Sequence, residues 1–386
     1  MDKSLENRLQ RLIEGNSEAN RYKWAEEWKK QGKKVIGVMS SYVPEEVIYA
    51  AGMLPWRITG TWKENVTLAG AYRTPSSTCP YSTHVLESFL HGELDFLDGL
   101  VIADQDQDVL RTYEVLVYLK KLPFSFALHM PYTNTSLSRR YYTGEIRRLI
   151  SGFEDYWGMK ISKESLRSSI DTYNEMRSLL SQLYELRKKE IPPLTGAEVL
   201  GITTTAQVMP RQEFNQELKD LLPYLEERKT NHKPVHPRLL VESEKLDNPA
   251  YLELVEENCL VAMDDMDTGI RYFIQTVDTT VEDLSYNLAE RYLSRHGSAR
   301  FYDWDEQLEQ IIKWVVDFKI DGVLSLAHKY EVPQRYRMPF LHEKLEEKGI
   351  PHIVLEREYP LANLGQLRTR VGAFLEMISA KEESRL

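Results

Sequence analysis

Three acids alternate with two amides in the stretch VIADQDQDVLR, where Asp104, Gln105, Asp106, Gln107 and Asp108 follow an apolar run and lead into Val109, Leu110 and Arg111. Alternating carboxylates can offer oxygen ligands to a hard cation, but a calcium loop needs a glycine and a distal glutamate, and neither is here. The other reading is structural: Asp106 or Asp108 caps the helical pattern that follows. A second candidate is Cys79 in SSTCPYSTHVLESF, directly before another helical segment. A helix amino terminus stabilises a thiolate, so Cys79 is either a ligand or reactive thiol of lowered pKa, or an ordinary loop thiol. Cys259, at the head of CLVAMDD, reads as a small core hydrophobe. Ser41 and Tyr42 in GVMSSYVPEE, and His328 to Glu331 after DGVLSLA, are further polar groups at the ends of apolar runs. Two cysteines exclude both a disulfide framework and a metal site made wholly of this chain's thiolates.

Several chemistries are excluded by what the sequence lacks. There is no G-x-G-x-x-G after the first apolar run and no G-x-x-x-x-G-K-[ST], so the chain reads neither as an ordinary nicotinamide dehydrogenase nor as a nucleotide hydrolase. Without a G-x-S-x-G elbow, Ser40 and Ser41 have no case as nucleophiles. Cys79 as the nucleophile of an independent enzyme lacks an identified base, His84 lying five positions on.

The elements that must position these residues follow from periodicity. Apolar runs of strand length (KKVIGVMSS, LPWRITG, DGLVIAD, PFSFALHM) alternate with helical patterns, which predicts parallel crossovers. A second series (PRLLVES, CLVAMDD, DGVLSLAH, IPHIVLERE) repeats the arrangement, and a nearly continuous helical stretch separates the two. The expected architecture is α/β: two doubly wound parallel-sheet, Rossmann-like domains joined by a helical region. Residues 1–150 form the first domain with a helical amino-terminal extension, 151–232 the connecting helices and 233–386 the second domain. TNHKPVHP reads as the linker, with His232 and His236 solvated rather than ligands. The shared D-G turn, at Asp98-Gly99 and Asp321-Gly322, suggests two similar sheets facing each other. Open parallel sheets bind ligands at the carboxyl ends of their strands, so a cleft lined by Ser41, Tyr42, Cys79, the 104–108 stretch and 328–331 is the expected site.

With 386 residues and 42% hydrophobic content the chain can fill two cores, and its formal charge of −10 argues against a nucleic-acid partner. No run of about 18 apolar residues is present, so no membrane is expected. MDKSLENRLQRL is charged and amphipathic rather than a signal peptide, which gives a cytoplasmic expectation.

Four segments carry a resemblance to a known family: KKVIGVMSSYVPEEVIYAAGMLP from Lys33, CPYSTHVLESFLHGELDFLDGL from Cys79, MPFLHEKLEEKGIPH from Met338 and GQLRTRVGAFLE from Gly365. The chain resembles the 2-hydroxyacyl-CoA dehydratase and benzoyl-CoA reductase family over nearly its whole length, and the segment around YYTGEIRRLISGFEDYWGMKIS leans toward the reductase branch. The resemblance implies a heterodimer of homologous subunits acting on an acyl-CoA, with a separate ATP-hydrolysing iron-sulfur activator. It also implies a [4Fe-4S] cluster between the domains, held by three cysteines in the cluster-bearing subunit. By that comparison Cys79 is the only retained ligand position, while Gln107 and Glu331 stand at the other two. The expectation is a subunit without a competent cluster of its own, paired with a cluster-bearing homologue. Glu331, Asp104 and Gln107 would then be its hydrogen-bonding or proton-transfer groups, and Ser41, Tyr42, Gln105, Arg111 and His328 the cleft lining. A scaffold or electron-relay partner with no small-molecule site is the alternative from another class.

Overall fold

The computed structural model describes residues 3–74, 77–228, 236–362 and 364–383; most of the expected linker, 230–235, lies outside them. Among the described residues, each of the eight apolar runs forms a strand. The first sheet holds β1 (Val35–Val38), β2 (Leu54–Arg57), β3 (Gly99–Ala103) and β4 (Ser125–Leu128). The second holds β5 (Arg238–Ser243), β6 (Leu260–Met266), β7 (Gly322–His328) and β8 (His352–Arg357). Both sheets are wholly parallel and share one strand order, β2-β1-β3-β4 and β6-β5-β7-β8. Six of these strands, all but β4 and β8 at one edge of each sheet, are buried along their whole length, as continuous apolar runs covered on both faces require.

The repeated D-G turn does the same work in both sheets. Asp98 accepts the amide of Val35 at 2.9 Å, and Asp321 accepts the amide of Arg238 at 2.7 Å, so each aspartate fixes the start of the neighbouring central strand. The glycine that follows leaves room for packing: a Cβ on Gly322 would lie 2.6 Å from Ile378 Cδ1 and one on Gly99 3.1 Å from Phe124.

Helices connect and cover the sheets. In the first half these are α1 (Lys3–Ile13), α2 (Arg21–Lys30), α3 (Glu45–Ala50), α4 (Pro80–Leu90), α5 (Gln107–Tyr118) and α6 (Ser136–Trp157). Then come α7 (Lys163–Glu185), α8 (Gly196–Thr205) and α9 (Arg211–Glu227), followed by α10 (Ala250–Val255), α11 (Ile270–Phe273), α12 (Leu284–Ser294), α13 (Trp304–Asp317), α14 (Val332–Glu347) and α15 (Leu364–Glu383). The central helices tie the sheets with buried ion pairs: Arg177 to Glu46 and Arg211 to Glu45 on the first-sheet side, Arg187 to Asp264 on the second. The halves also exchange elements. Val277, Leu284, Leu288 and Tyr292 from the second half share a core with Ile36, Val38 and Val101, because the exposed face of the first sheet needs an apolar cover. Helix α1 packs on α8, where a Cβ at Gly201 would meet Ile13 O at 2.3 Å. Among the described residues no helix is long and apolar enough to cross a membrane.

Candidate functional site at the junction of the two sheets

In each sheet the first and third strands in chain order lie side by side, and the chain leaves them in opposite directions. Such a switch point opens a crevice at the carboxyl ends of the strands. The loops after β1 and β3 therefore meet those after β5 and β7, and all four carry polar residues: Ser40 to Tyr42, Asp104 to Asp106, Glu244 and Lys245, and Lys329 to Glu331.

At the centre is Lys245, 5% exposed. Its ammonium donates to Asp106 and, at 3.2 Å, to Glu331 Oε2, and lies 4.0 Å from Cys79 Sγ. The Cys79 thiol donates to the same Glu331 oxygen at 3.2 Å. Cys79 stands buried at the residue before α4, and its amide donates to Asp108 Oδ2 at 2.8 Å. Asp106 is the cap of α5: its Oδ1 accepts the amides of Asp108 at 2.7 Å and Val109 at 3.4 Å, while Oδ2 turns to Lys245. What remains open here is a void of about 10 Å3, bordered by Gln105, Asp106, Lys245, Arg300 and Glu331, room for about one water.

The electrostatics follow from burial and pairing. Burial pushes the Glu331 carboxyl up and outweighs Lys245, leaving it near 7, with Asp106 and Glu244 adding to the rise. Burial acts on Asp106 in the same sense but is overcome by Lys245, Arg300 and the capping amide, which hold it at about 2. Lys245 stays protonated, since Asp106, Cys79 and Glu331 outweigh the cost of its burial. The Cys79 thiol is raised well above its ordinary value, first by burial, then by the two carboxylates against Lys245. The lowered thiol pKa expected from the helix amino terminus is therefore overturned: the carboxylates and the dry surroundings outweigh the dipole.

Of the candidate residues, the structure brings Cys79 and Glu331 together and places the rest around or away from them. Gln107 is exposed at the first turn of α5, and the inward position is taken by Asp106, because a cap residue turns its side chain back over the helix end. Asp104 turns away toward β4, accepting from Met130 N at 2.9 Å and pairing with His129 Nδ1 at 2.7 Å. Arg111 is exposed and pairs with Glu114. Gln105 accepts from Ser40 Oγ beside the cluster. Ser41 is held by Asp267 and by Arg295 at 2.9 Å, and Tyr42 OH accepts the amide of Ser298 at 2.8 Å while its ring stacks on Phe301 at 5.2 Å. His328 is fully buried, stacked 5.9 Å from Tyr359, and burial lowers its pKa well below the ordinary value. Cys259 is a core residue, donating to Val255 O. Lys245 was not legible as a site residue. The one signal for it was its place just past the buried run RLLVES, at the carboxyl end of a central strand.

Two parallel sheets whose switch-point loops close on one buried polar cluster define a two-lobed α/β protein with a candidate site at the junction. The chain belongs to the family described as 2-hydroxyglutaryl-CoA dehydratase, D-component, whose profile matches residues 40–378. It is 27% identical over 364 residues to one of the subunits of benzoyl-CoA reductase from Thauera aromatica, covering 92% of this chain and 94% of that one. It is 25% identical to the (R)-phenyllactyl-CoA dehydratase beta subunit of Clostridium sporogenes, covering 90% and 92%. A third relative is the (R)-2-hydroxyglutaryl-CoA dehydratase beta subunit of Acidaminococcus fermentans, 25% identical over 91% and 94%.

The junction residues do not fit the iron-sulfur cluster that the family resemblance implies. Such clusters are held by soft thiolates. The junction supplies one neutral thiol, two carboxylates and an ammonium, and the cation itself opposes a metal centre among the same side chains. Among the described residues no group of three or more His, Cys, Asp and Glu side chains is arranged to hold a metal ion.

Proposed function

We propose that this chain is a subunit of an acyl-CoA dehydratase or reductase complex in which a buried lysine-centred ion cluster takes the place of the chain's own iron-sulfur site. It pairs with a homologous subunit that carries the [4Fe-4S] cluster, and a separate ATP-hydrolysing activator supplies low-potential electrons. The observation that carries this reading is the Lys245 ammonium among Cys79, Asp106 and Glu331. That the three relatives above are each named as a subunit supports the paired state. Overall similarity gives the benzoyl-CoA reductase-like assignment, and the family profile with two dehydratase subunits favours a 2-hydroxyacyl-CoA dehydratase as the second reading.

A void of about 10 Å3 does not admit an acyl group, so on this reading the acyl group does not enter this chain's own junction. Glu331, near 7, can hold or release a proton at Oε2 close to neutrality. The test is to co-express the chain with a homologous three-cysteine subunit and assay the purified pair, with activator and ATP, on acyl-CoAs. A stable pair that turns over acyl-CoA is expected. Failure to associate contradicts the reading, and a pair that is inert without loss of partner cluster favours a scaffold. Glu331→Gln in the active pair separates the proton role, which is wrong if turnover and its pH profile are unchanged.

A further inference from the structure

A second site lies outside the junction and shares no residue with it. Residues just before and within α2, in the loop after β2 and in the segment after α4 line a cavity of about 490 Å3. Its floor is Arg21, 3% exposed, lying over Trp56 with the guanidinium carbon 4.4 Å from the ring centroid and 5.5 Å from that of Tyr22. Arg21 Nη2 donates to Arg57 O at 3.2 Å, and the buried Nε has no partner.

A buried Nε without a partner recurs at Arg177, Arg211, Arg295, Arg337 and Arg357; what sets Arg21 apart is that its single acceptor is a backbone carbonyl. Other deeply buried arginines either pair with a carboxylate, as Arg57 with Asp267 and Arg187 with Asp264, or spread their donors over three acceptors, as Arg238 and Arg291 do. Among the described residues Arg21 has one acceptor and no carboxylate in hydrogen-bond or ion-pair contact, the buried Asp247 acting on it only at longer range. A buried cation without an anion is costly, and one that borders a cavity can be completed by a ligand. The walls are the apolar faces of Tyr22, Trp62 and Phe96, with Tyr22 edge-on to Phe96 at 5.9 Å. At the rim stand the exposed Glu18 and Glu26, and Glu93, which is paired with Lys63 at 2.9 Å.

We propose that this cavity binds a small monoanion, a carboxylate on a flat apolar body, with the carboxylate on Arg21 and the body between Tyr22, Trp62 and Phe96. The guanidinium offers a planar fork of donors suited to a carboxylate. The rim acids set an upper limit on charge: they repel a polyanion such as a nucleotide phosphate but are screened from a single charge seated on Arg21. A cationic ligand would suit the rim and the aromatic walls, but Arg21 at the floor already lies over the Tyr22 ring and repels a second cation. The volume falls in the range of small-molecule sites, roughly 300 to 1,000 Å3.

The test is calorimetric titration of the full chain with phenylacetate, with phenethylamine as the cation of the same shape and with adenosine monophosphate as the polyanion. Saturable binding of phenylacetate alone is expected, weakened about tenfold or more in Arg21→Gln. Should Arg21→Gln fail to fold, Glu26→Arg at the exposed rim decides, since reversing that charge strengthens phenylacetate binding several-fold. Absence of saturable phenylacetate binding overturns the proposal, as does preference for phenethylamine or for the nucleotide. Equal affinity in a folded Arg21→Gln, or in Glu26→Arg, overturns it as well.

Discussion

Lys245 sits in left-handed backbone, φ 49°, just past β5, and this turn carries its side chain under both lobes. Its acidic partners lie 139 and 86 residues away, so no local pattern in the sequence announces it. Removing one member of a buried ion cluster leaves uncompensated charge, and Lys245→Met is expected to lower stability by about 3 to 5 kcal/mol in urea unfolding. Adding Asp106→Asn and Glu331→Gln to that variant returns most of the loss, since it removes the stranded charges; no recovery would mean that Lys245 stabilises by packing alone. Glu331 gives a pH signature. Its carboxyl titrates near 7 in the fold, above its unfolded value of about 4.5, so the folded protein holds an extra proton between the two. That contribution is full below the unfolded value and is lost as pH rises through 7. Stability relative to Glu331→Gln should therefore increase from about pH 7.5 down to about pH 5, and a flat difference would contradict the shift. Cys79 and Glu331 were legible through the family resemblance, and Asp106 was legible only as a cap. Its second oxygen, the one on Lys245, depends on a loop from the other sheet.

The strands were legible because burial on both faces leaves continuous apolar runs bounded by Asp, Gly and Pro. The repeated D-G turn predicted two similar sheets, and the shared strand order with the matched Asp98 and Asp321 hydrogen bonds gives it a physical basis. Asp98→Ala and Asp321→Ala should each cost about 1 kcal/mol, and nearly additively when combined, because the sites are far apart. Denaturant midpoints check this, and a strongly unequal or coupled pair would mean that the two turns do different work. Helix faces were harder to place. The periodicity of α12 shows that it is amphipathic but not that its apolar side covers the sheet of the other half. The exposure of Gln107 was hard to foresee for a related reason: at a helix start, a shift of one position exchanges an inward side chain for an exposed one.

At the scale of the whole molecule, two repeated sheets are joined by α7 to α9 and sealed by charge pairs that cross between them, Arg57 to Asp267 and Lys245 to Asp106 among them. These ion pairs, buried on both sides, link the two lobes directly at the junction. On the proposed function, the lysine-centred cluster replaces an iron-sulfur site in this subunit. The most direct measurement is anaerobic reconstitution of the isolated chain with ferrous iron and sulfide, followed by iron and acid-labile sulfide analysis and a visible spectrum. No stoichiometric iron and no cluster absorption are expected; about four irons per chain with a stable cluster chromophore would mean that the junction still holds a cluster.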